Sequence, residues 1–378
     1  MREGWEYKKL GEVASSELGK TLNKSKDTGK LYPYICAVNV LWDMIDLTIL
    51  KHAFFEKEEI DRYSVRKGDL LVCEGGDTGR SAIWEKEEPV LYQNALHRVR
   101  FTTEMEARFA MYCLWHLKNN GQIDQKYSKG VTIKHLVKSS LLSIELPVPP
   151  LSTQQSIVSE LDKINELIRL KKEQLKDYYN LAQSIFYEMF GDEKYERRKL
   201  KNIVKVKSGQ VSPLEDPYCD MVHVGPANIE SNTGRLINLK TAKEENLISG
   251  KYLFDSSMVL YSKIRPNLNK VTIADFEGIC SADMYPLIPS KSIDKKFLLF
   301  ILKQKEFLSY AIANSGRANI PKINREDLLE YSTILPPLSL QLQFAERLAL
   351  IEKQKEQISS IIKDLETLLA SRMQYWFD

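Results

Sequence analysis

The 378-residue chain carries 54 Lys and Arg against 51 Asp and Glu, a formal net charge of +3. Because the charge is this close to neutral, the electrostatic field of the whole molecule would not attract a polyanion. Any contact with a polyanion must therefore come from local basic patches. At 378 residues the chain is long enough for two or three domains, and its 43% of hydrophobic residues is sufficient for each to have its own core.

The cysteines indicate a reducing compartment. Five of them are scattered along the chain without a CxxC pair, which is typical of free buried thiols: Cys36, Cys73, Cys113, Cys219 and Cys280. The first 13 residues lack the apolar run of a signal peptide, and no apolar run approaches the roughly 20 residues of a membrane span. The sequence predicts a cytoplasmic protein without a membrane segment.

The first 150 residues predict a compact α/β domain. Short β-like runs at 34–38, 69–73, 81–84 and 96–101 alternate with turn residues, and a helix is predicted from Met105 to Leu117. A long helix follows at 151–190, where apolar residues recur at alternating spacings of four and three. This spacing predicts a coiled-coil seam through Ile157, Leu161, Ile164, Ile168 and Leu175.

The chain then repeats itself. Residues 195–200 repeat the pattern of residues 5–10, and the segment Pro149-Pro-Leu-Ser152 is repeated as Pro336-Pro-Leu-Ser339. The interval 191–336 therefore predicts a second α/β domain with the same frame and diverged loops. A second seam helix is predicted over 337–378, with seam positions at Phe344, Leu348, Ile351, Ile358, Ile362 and Leu365.

The two seam helices are expected to pair as an antiparallel coiled coil, because neither is apolar all round. Residues 157–189 would span roughly 50 Å at about 1.5 Å per residue, so the pair would act as a spacer between two domains. Each seam contains one lysine, Lys171 or Lys355. These lysines either fix register and orientation or extend their ammonium groups to solvent beside the seam.

The sequence contains no recognisable catalytic motif. Gly19-Lys20-Thr21 lacks the glycine that a phosphate-binding loop needs five residues earlier, and the five histidines lack metal-ligand spacing. Asp69, Glu74 and Asp77 imitate a nuclease carboxylate cluster, but the second copy does not repeat it. The sequence predicts no catalytic site and no metal site.

The opening Trp5-Glu-x-x-x-Leu-Gly-Glu-Val13, the two PPLS-x-Q segments and the duplicated seam helices resemble the specificity subunit of type I restriction–modification systems. The resemblance covers essentially the whole chain. One departure is that Gln154-Gln155 and Gln341-Leu342 stand where the family commonly has Glu-Gln.

The resemblance implies two target-recognition domains, each reading one half of a split, asymmetric site in double-stranded DNA. It implies two modification (methyltransferase) subunits and motor-nuclease restriction subunits as partners. S-adenosylmethionine, ATP and Mg would belong to those partners, and this chain would hold no cofactor.

The loops that carry Arg, Lys, Asn, Gln and carboxylates are the candidates for DNA contact. Lysines mostly contact phosphate. Among the base contacts, Arg can bind guanine, Asn or Gln can bind adenine, and a carboxylate can accept from the amino group of cytosine. In the first domain the candidates are Glu74, Gly75, Gly76, Asp77, Thr78, Arg80, Gln93, Asn94, His97, Lys129, Thr132 and Lys134. In the second they are Lys207, Gln210, Lys263, Arg265, Asn267, Asn269, Lys270, Arg317, Asn319 and Lys322.

Other interpretations remain open at this point. A basic run such as 196–207 is commonly only a solvated face. The whole chain could be a non-catalytic coiled-coil scaffold whose α/β domains bind peptides, or the specificity subunit of another phage-defence methylation complex. A stand-alone nuclease or transferase is disfavoured because its motifs are missing.

Overall fold

The computed structural model describes residues 4–22, 29–130, 134–191, 195–316 and 319–378. The chain forms two compact units: unit 1 comprises residues 1–174 and 358–378, and unit 2 comprises residues 175–357. Each unit contains one globular part and a portion of both long helices. The boundaries predicted from the sequence, 1–150, 151–190, 191–336 and 337–378, instead separate the helices from the globular parts.

The first globular part is built from short elements. Its strands are β1 (Glu6–Lys9), β2 (Ala14–Leu18), β3 (Lys30–Ile35), β4 (Val40–Leu41), β5 (Met44–Ile45), β6 (Lys51–Phe55), β7 (Ser64–Val65), β8 (Leu70–Cys73), β9 (Ser81–Ile83), β10 (Val90–Tyr92), β11 (Leu96–Phe101) and β12 (Glu145–Val148). Its helices are α1 (Leu10–Val13), α2 (Lys57–Arg62), α3 (Ala107–Asn119) and α4 (Lys138–Leu142), with a 3-10 turn at Ala37–Asn39 and a π-helical turn at Ile123–Tyr127. The long helix α5 (Leu151–Phe190) follows.

The second globular part has a similar series. Its strands are β13 (Arg197–Lys199), β14 (Val204–Val206), β15 (Gln210–Val211), β16 (Val222–Val224), β17 (Lys240–Thr241), β18 (Lys251–Phe254), β19 (Val259–Ser262), β20 (Val271–Thr272), β21 (Gly278–Cys280), β22 (Met284–Pro289) and β23 (Ser332–Ile334). Its helices are α6 (Leu200–Ile203), α7 (Lys295–Lys303), α8 (Lys305–Ala313) and α9 (Arg325–Glu330), with 3-10 turns at Tyr218–Asp220, Pro226–Asn228 and Pro266–Leu268. The long helix α10 (Leu338–Phe377) follows.

In unit 1 an antiparallel sheet of order β2-β11-β8-β9 separates two cores. Strand β8 is buried on both faces: Leu70 and Val72 pack with α3, whereas Leu71 and Cys73 pack with the strands of a second sheet. Alternation along a strand sends neighbouring side chains to opposite faces, which explains the continuous apolar run. The second sheet has the order β6-β3-β10-β7 and contains one parallel pair, β3 with β10.

Unit 2 repeats this frame, as the sequence predicts. Its antiparallel sheet β14-β22-β19-β20 has the order of β2-β11-β8-β9, and its other sheet, β15-β18-β21-β16-β17, contains the parallel pair β16 with β21. One buried asparagine closes a 3-10 turn in each unit. Asn39 accepts from the backbone N–H of Cys36 at 3.1 Å, and Asn228 accepts from that of Gly225 at 2.9 Å.

The long helices pack against each other antiparallel within unit 1. Ile157, Leu161, Ile164 and Ile168 of α5 are buried in one core with Leu369 and Met373 of α10. Lys172 forms an ion pair with Glu366 at 2.7 Å, and Glu160 accepts from Trp376 Nε1 at 3.1 Å. Low residue numbers of one helix therefore lie beside high residue numbers of the other.

The same pairing occurs in unit 2, where α5 residues such as Ala182, Ile185 and Phe186 share a core with Phe344 and Ile351 of α10. The predicted seam positions are buried or half-buried throughout. Lys355 places its ammonium group 3.8 Å from the centre of the Tyr179 ring and pairs with Glu352 at 2.8 Å. The Lys355 side chain is only 13% exposed, so its ammonium group is held between the two helices and does not extend to solvent.

One glutamine fixes the start of each long helix to its own globular part. Gln154 Oε1 accepts from the backbone N–H of Glu106 at 2.9 Å, and its Nε2 donates to the carbonyls of Glu104 and Pro149 at 2.8 and 2.9 Å. Helix α3 begins at Ala107, two residues later than predicted, with Glu106 as its N-cap. Gln341 makes the equivalent bonds in unit 2, with the N–H of Asp294 and the carbonyls of Ser292 and Pro336.

None of the helices in the described part of the chain is both long and apolar enough to span a bilayer.

Candidate nucleic-acid interface

In unit 1 the turn between β8 and β9 is fixed at its base by a distant segment. We call residues 74–80 the first elbow. The Cys73 N–H donates to the Arg80 carbonyl at 2.8 Å, and the Leu136 N–H donates to the Glu74 carbonyl at 2.7 Å. Gly75 forms an isolated β-bridge with His135. The elbow is thus held by backbone bonds to a segment about 60 residues later in the chain.

Unit 2 contains the equivalent turn between β19 and β20. We call residues 263–270 the second elbow. The Ser262 N–H donates to the Lys270 carbonyl at 3.0 Å, and the Ile323 N–H donates to the Lys263 carbonyl at 3.0 Å. Ile264 is bridged to Lys322, as Gly75 is to His135. Sequence-distant candidates, 263–270 and 319–322, are therefore brought to one place.

Several first-domain candidates lie at the first elbow. Glu74 and Gly75 are partly exposed and Gly76 is exposed, while partial burial raises the pKa of the Glu74 carboxyl. Asp77 forms an ion pair with Lys118 at 3.0 Å. The turn that contains Gln93 and Asn94 adjoins the elbow, because the Glu74 N–H donates to the Ala95 carbonyl at 3.0 Å; both side chains are half-buried.

The lysines beside the first elbow differ in their availability. Lys129 is exposed, and its backbone pairs with that of His135. Lys134 donates from Nζ to the Asp124 carbonyl at 2.6 Å. Lys129 therefore remains the stronger candidate for a phosphate contact.

Two predicted DNA contacts of the first domain are wrong in this structure, because the side chains are buried and bound to protein. Thr78 is 1% exposed and donates to Asp124 at 2.8 Å. His97 is fully buried and donates from Nε2 to the Leu136 carbonyl at 2.7 Å, and burial lowers its pKa. Arg80 is also turned inward, since its Nη2 donates to the Ala37 carbonyl at 3.0 Å.

The second elbow presents Arg265 and Asn267 to solvent, and the facing segment presents Asn319 and Lys322. Two other cations fold onto the protein. Lys263 donates to the Ala282 carbonyl at 2.6 Å, and Lys270 to the Pro226 carbonyl at 2.7 Å.

The prediction that Asn269 contacts DNA also requires correction. Its side chain is buried and donates from Nδ2 to the Lys303 carbonyl at 3.3 Å, so it stabilises the elbow and is not available to DNA. Lys207 lies on the loop that follows β14 and is half-buried, and Gln210 is the exposed first residue of β15. Thr132 and Arg317, also predicted to contact DNA, lie outside the described residues.

The basic run at 196–207 is largely neutralised within unit 2. Lys199 and Lys201 both pair with Glu330 at 2.6 Å, and their hydrogen bonds lower the pKa of that carboxyl to about 2. Arg197 pairs with Glu306 at 2.9 Å. These contacts favour the solvated-face interpretation of this run.

The contacts between the β4–β5 hairpin and the helices of unit 1 could not be predicted from the sequence. Trp42 stacks on Trp115 of α3 with ring centres 5.1 Å apart. Asp43 accepts from Arg108 of α3 at 2.8 Å and from Asn165 of α5 at 2.7 Å. Burial raises the pKa of the Asp43 carboxyl to about 6, against the opposing effect of the Arg108 charge.

Comparison with known proteins identifies the duplicated unit. The sequence profile of the type I restriction modification DNA specificity domain matches residues 2–177 and again 192–367. The specificity subunit of the EcoDI type I restriction enzyme of Escherichia coli is 25% identical over 91% of this chain and 80% of its own length. The putative MjaX specificity subunit of Methanocaldococcus jannaschii is 24% identical over 97% and 93%.

Solved structures show the same fold. A chain from a study of complex assembly and conformational transition in a type I R-M system superposes with a TM-score of 0.57 at 16% identity, covering 99% of this chain and 97% of that chain. The S subunit of a type I restriction–modification system from M. genitalium gives 0.55 at 15% identity, covering 100% and 98%. With two copies of the family domain that together cover most of its length, this chain belongs to the family of type I restriction–modification DNA specificity subunits.

Proposed function

We propose that this subunit reads a bipartite, asymmetric target in double-stranded DNA, with one globular part for each half of the target. The observation that carries the proposal is the pair of elbows, one in each copy of the family domain. They share a backbone frame but differ in chemistry: Glu74 and Asp77 lie on the first, and Arg265 and Asn267 on the second. A shared frame with different side chains suits two readers of different sequences.

The base contacts are proposed to come from the accessible candidates. Carboxylates of the first elbow can accept from a base amino group, and Arg265, Asn267 and Asn319 can bind base edges. Lys129 and Lys322 are proposed to hold phosphates, which position the duplex without specifying its sequence.

Two modification subunits are proposed to dock on the long helices. Apolar residues are exposed to similar extents at equivalent positions of the two helices. Leu151 of α5 and Leu338 of α10 are 43% and 41% exposed, and Leu181 and Leu368 are 44% and 45% exposed. Two identical partners require two equivalent surfaces, which such pairs would supply.

The chemistry is proposed to belong to the partner subunits. The modification subunits would bring S-adenosylmethionine and methylate adenine, and the restriction subunits would bring ATP and Mg. This chain would contribute recognition and assembly without catalysis of its own. The motifs missing from its sequence support this division.

The test is to reconstitute the full-length chain with its modification subunits and to map methylated adenines on genomic DNA. The proposal expects a two-part motif separated by a fixed gap of unspecified bases. Exchanging residues 191–336 for those of another member of the family should change one half of the motif and leave the other half unchanged. Methylation of a continuous motif, or a change in both halves, would contradict the proposal.

A further inference from the structure

The third residue of each elbow has the same unusual backbone conformation but a different side chain. Since Glu74 corresponds to Lys263 and Gly75 to Ile264 by their bonds, Gly76 corresponds to Arg265. Gly76 has a φ of 75° and Arg265 a φ of 48°. Glycine adopts this left-handed region without penalty, whereas a residue with a Cβ does so at a cost.

The cost at Arg265 is increased by its neighbour. The next residue is Pro266, and the ring of a proline restricts the residue before it to extended conformations. The left-handed conformation is nevertheless held in place. The Arg265 N–H donates to the Pro321 carbonyl at 2.7 Å, and its own carbonyl accepts from Leu268 at 2.9 Å. The buried amide of Asn269 then anchors the end of the turn.

Intramolecular contacts do not explain the arginine. The Arg265 side chain is exposed, and its guanidinium has no hydrogen bond or ion pair with any residue that the structure describes. The neighbouring Lys263 and Lys270, by contrast, are bound to carbonyl groups. A glycine would suit the backbone better, as it does in the first elbow, so the arginine at this position calls for an external ligand.

We infer that Arg265 is a specificity-determining residue that reads one guanine in the half-site of the second domain. This inference rests on the proposed function. A phosphate contact needs only a cation on a flexible stem, which any exposed lysine supplies. A bidentate contact with O6 and N7 of guanine needs a planar guanidinium presented from a fixed backbone, and the locked turn provides one.

The glycine of the first elbow supplies the matched variant. Arg265→Gly installs the residue found in the equivalent position of unit 1. The relief of strain and the greater freedom of glycine in the unfolded chain oppose each other, so the midpoint of unfolding should stay close to that of the wild type. Arg265→Lys keeps the charge and removes the bidentate geometry. Arg197→Ala, which removes an exposed arginine already paired with Glu306, controls for the loss of one positive charge.

The experiment uses the reconstituted complex with its modification subunits and a library of duplexes randomised over the target. The wild-type motif is established first, and domain exchange assigns the half-site that residues 191–336 read. Methylation of the wild-type motif should fall about 10- to 100-fold for both Arg265 variants, which is the usual effect of losing one bidentate base contact. Both variants should accept other base pairs at one G·C position in that half-site, and Arg197→Ala should leave the motif unchanged.

Three results would overturn the inference while leaving the proposed function intact. The first is that the Arg265 variants methylate an unchanged motif. The second is that they lose activity equally on all sequences, which would indicate a phosphate contact. The third is that their base preference relaxes at an A·T position. A wild-type complex without a two-part motif would instead count against the proposed function.

Discussion

Gln154 and Gln341 lie 187 residues apart in the sequence, and each makes the same three hydrogen bonds in its own unit. Both side chains are fully buried. Each amide joins the first turns of a long helix to the proline before it and to the start of the adjacent helix, α3 or α7. The relationship explains why a glutamine recurs after both PPLS segments.

Gln154→Ala is expected to destabilise unit 1 by about 3 kcal/mol, because it leaves one buried N–H donor and two carbonyl acceptors without their partner. Urea unfolding of the full chain measures this loss. The adjacent Gln155 is exposed, so Gln155→Ala is the matched control. Equal stabilities of the two variants would show that the buried amide contributes little.

The stability of unit 1 should depend on pH through Asp43. Burial raises the pKa of this carboxyl to about 6, in a cluster where Arg108 also faces Asp162 and Glu85. A raised acid pKa means that the group favours folding below its unfolded pKa near 4 and that this contribution is lost as pH rises through 6. The free energy of unfolding of the wild type relative to Asp43→Asn should fall by up to about 3 kcal/mol between pH 4 and pH 7, at about 1.4 kcal/mol per pKa unit.

Asp46 on the same hairpin provides a control of opposite sign. Its pKa is lowered by the hydrogen bond from the Thr48 backbone. The wild type should therefore lose stability relative to Asp46→Asn as pH falls below 4. Parallel pH curves for the wild type and Asp43→Asn would show that Asp43 titrates normally.

Lys322 is expected to contact phosphate, since it is exposed beside the second elbow. Lys322→Ala in the reconstituted complex should weaken binding equally for all sequences. It should also reduce the slope of log affinity against log salt by about 1. Titrations of duplex DNA at several salt concentrations measure both quantities. Lys172→Ala removes a lysine that is paired with Glu366 on the long helices, and it should leave the slope unchanged. If Lys322→Ala instead changed the methylated motif, Lys322 would be a base-reading residue and the prediction would be wrong.

Lengthening both long helices should change the gap in the target. Seven residues inserted after Gln174 in α5 and after Gln357 in α10 preserve the seam register and add roughly 10 Å at about 1.5 Å per residue. The gap mapped by methylation should grow by about three base pairs, with both half-sites unchanged. A one-residue insertion at the same positions breaks the register and should abolish assembly. An unchanged gap with the seven-residue insertion would show that the helices do not set the spacing.

The repeated frame and the seam helices could be predicted because their signals are local. Proline pairs mark the starts of α5 and α10, and apolar residues spaced by three and four mark the seam. The burial of polar residues could not be predicted in this way. His97 resembles an exposed ligand in the sequence, and only its pairing with the Leu136 carbonyl, 39 residues away, makes it part of the core.

The elbows also depend on partners that are distant in the sequence. Nothing near Glu74 indicates that residue 136 closes its turn, and nothing near Arg265 indicates a left-handed backbone; a proline after it argues for the opposite. The glycine at position 76 is a sequence signal for a left-handed backbone at this place in the repeat. Aligning the two copies through it identifies the strained arginine.

A main-chain bond joins the first residue of each elbow to a distant segment, Glu74 to Leu136 and Lys263 to Ile323. Such a bond sets no requirement on the side chains between the anchors. The exposed positions 76, 265 and 267 can therefore vary while the unit still folds, apart from the positive φ at positions 76 and 265, whereas Pro266 is buried. Under the proposed function, substitutions at these positions would alter the target at little cost in stability, which makes the elbows suitable sites for combinatorial libraries aimed at new DNA specificities.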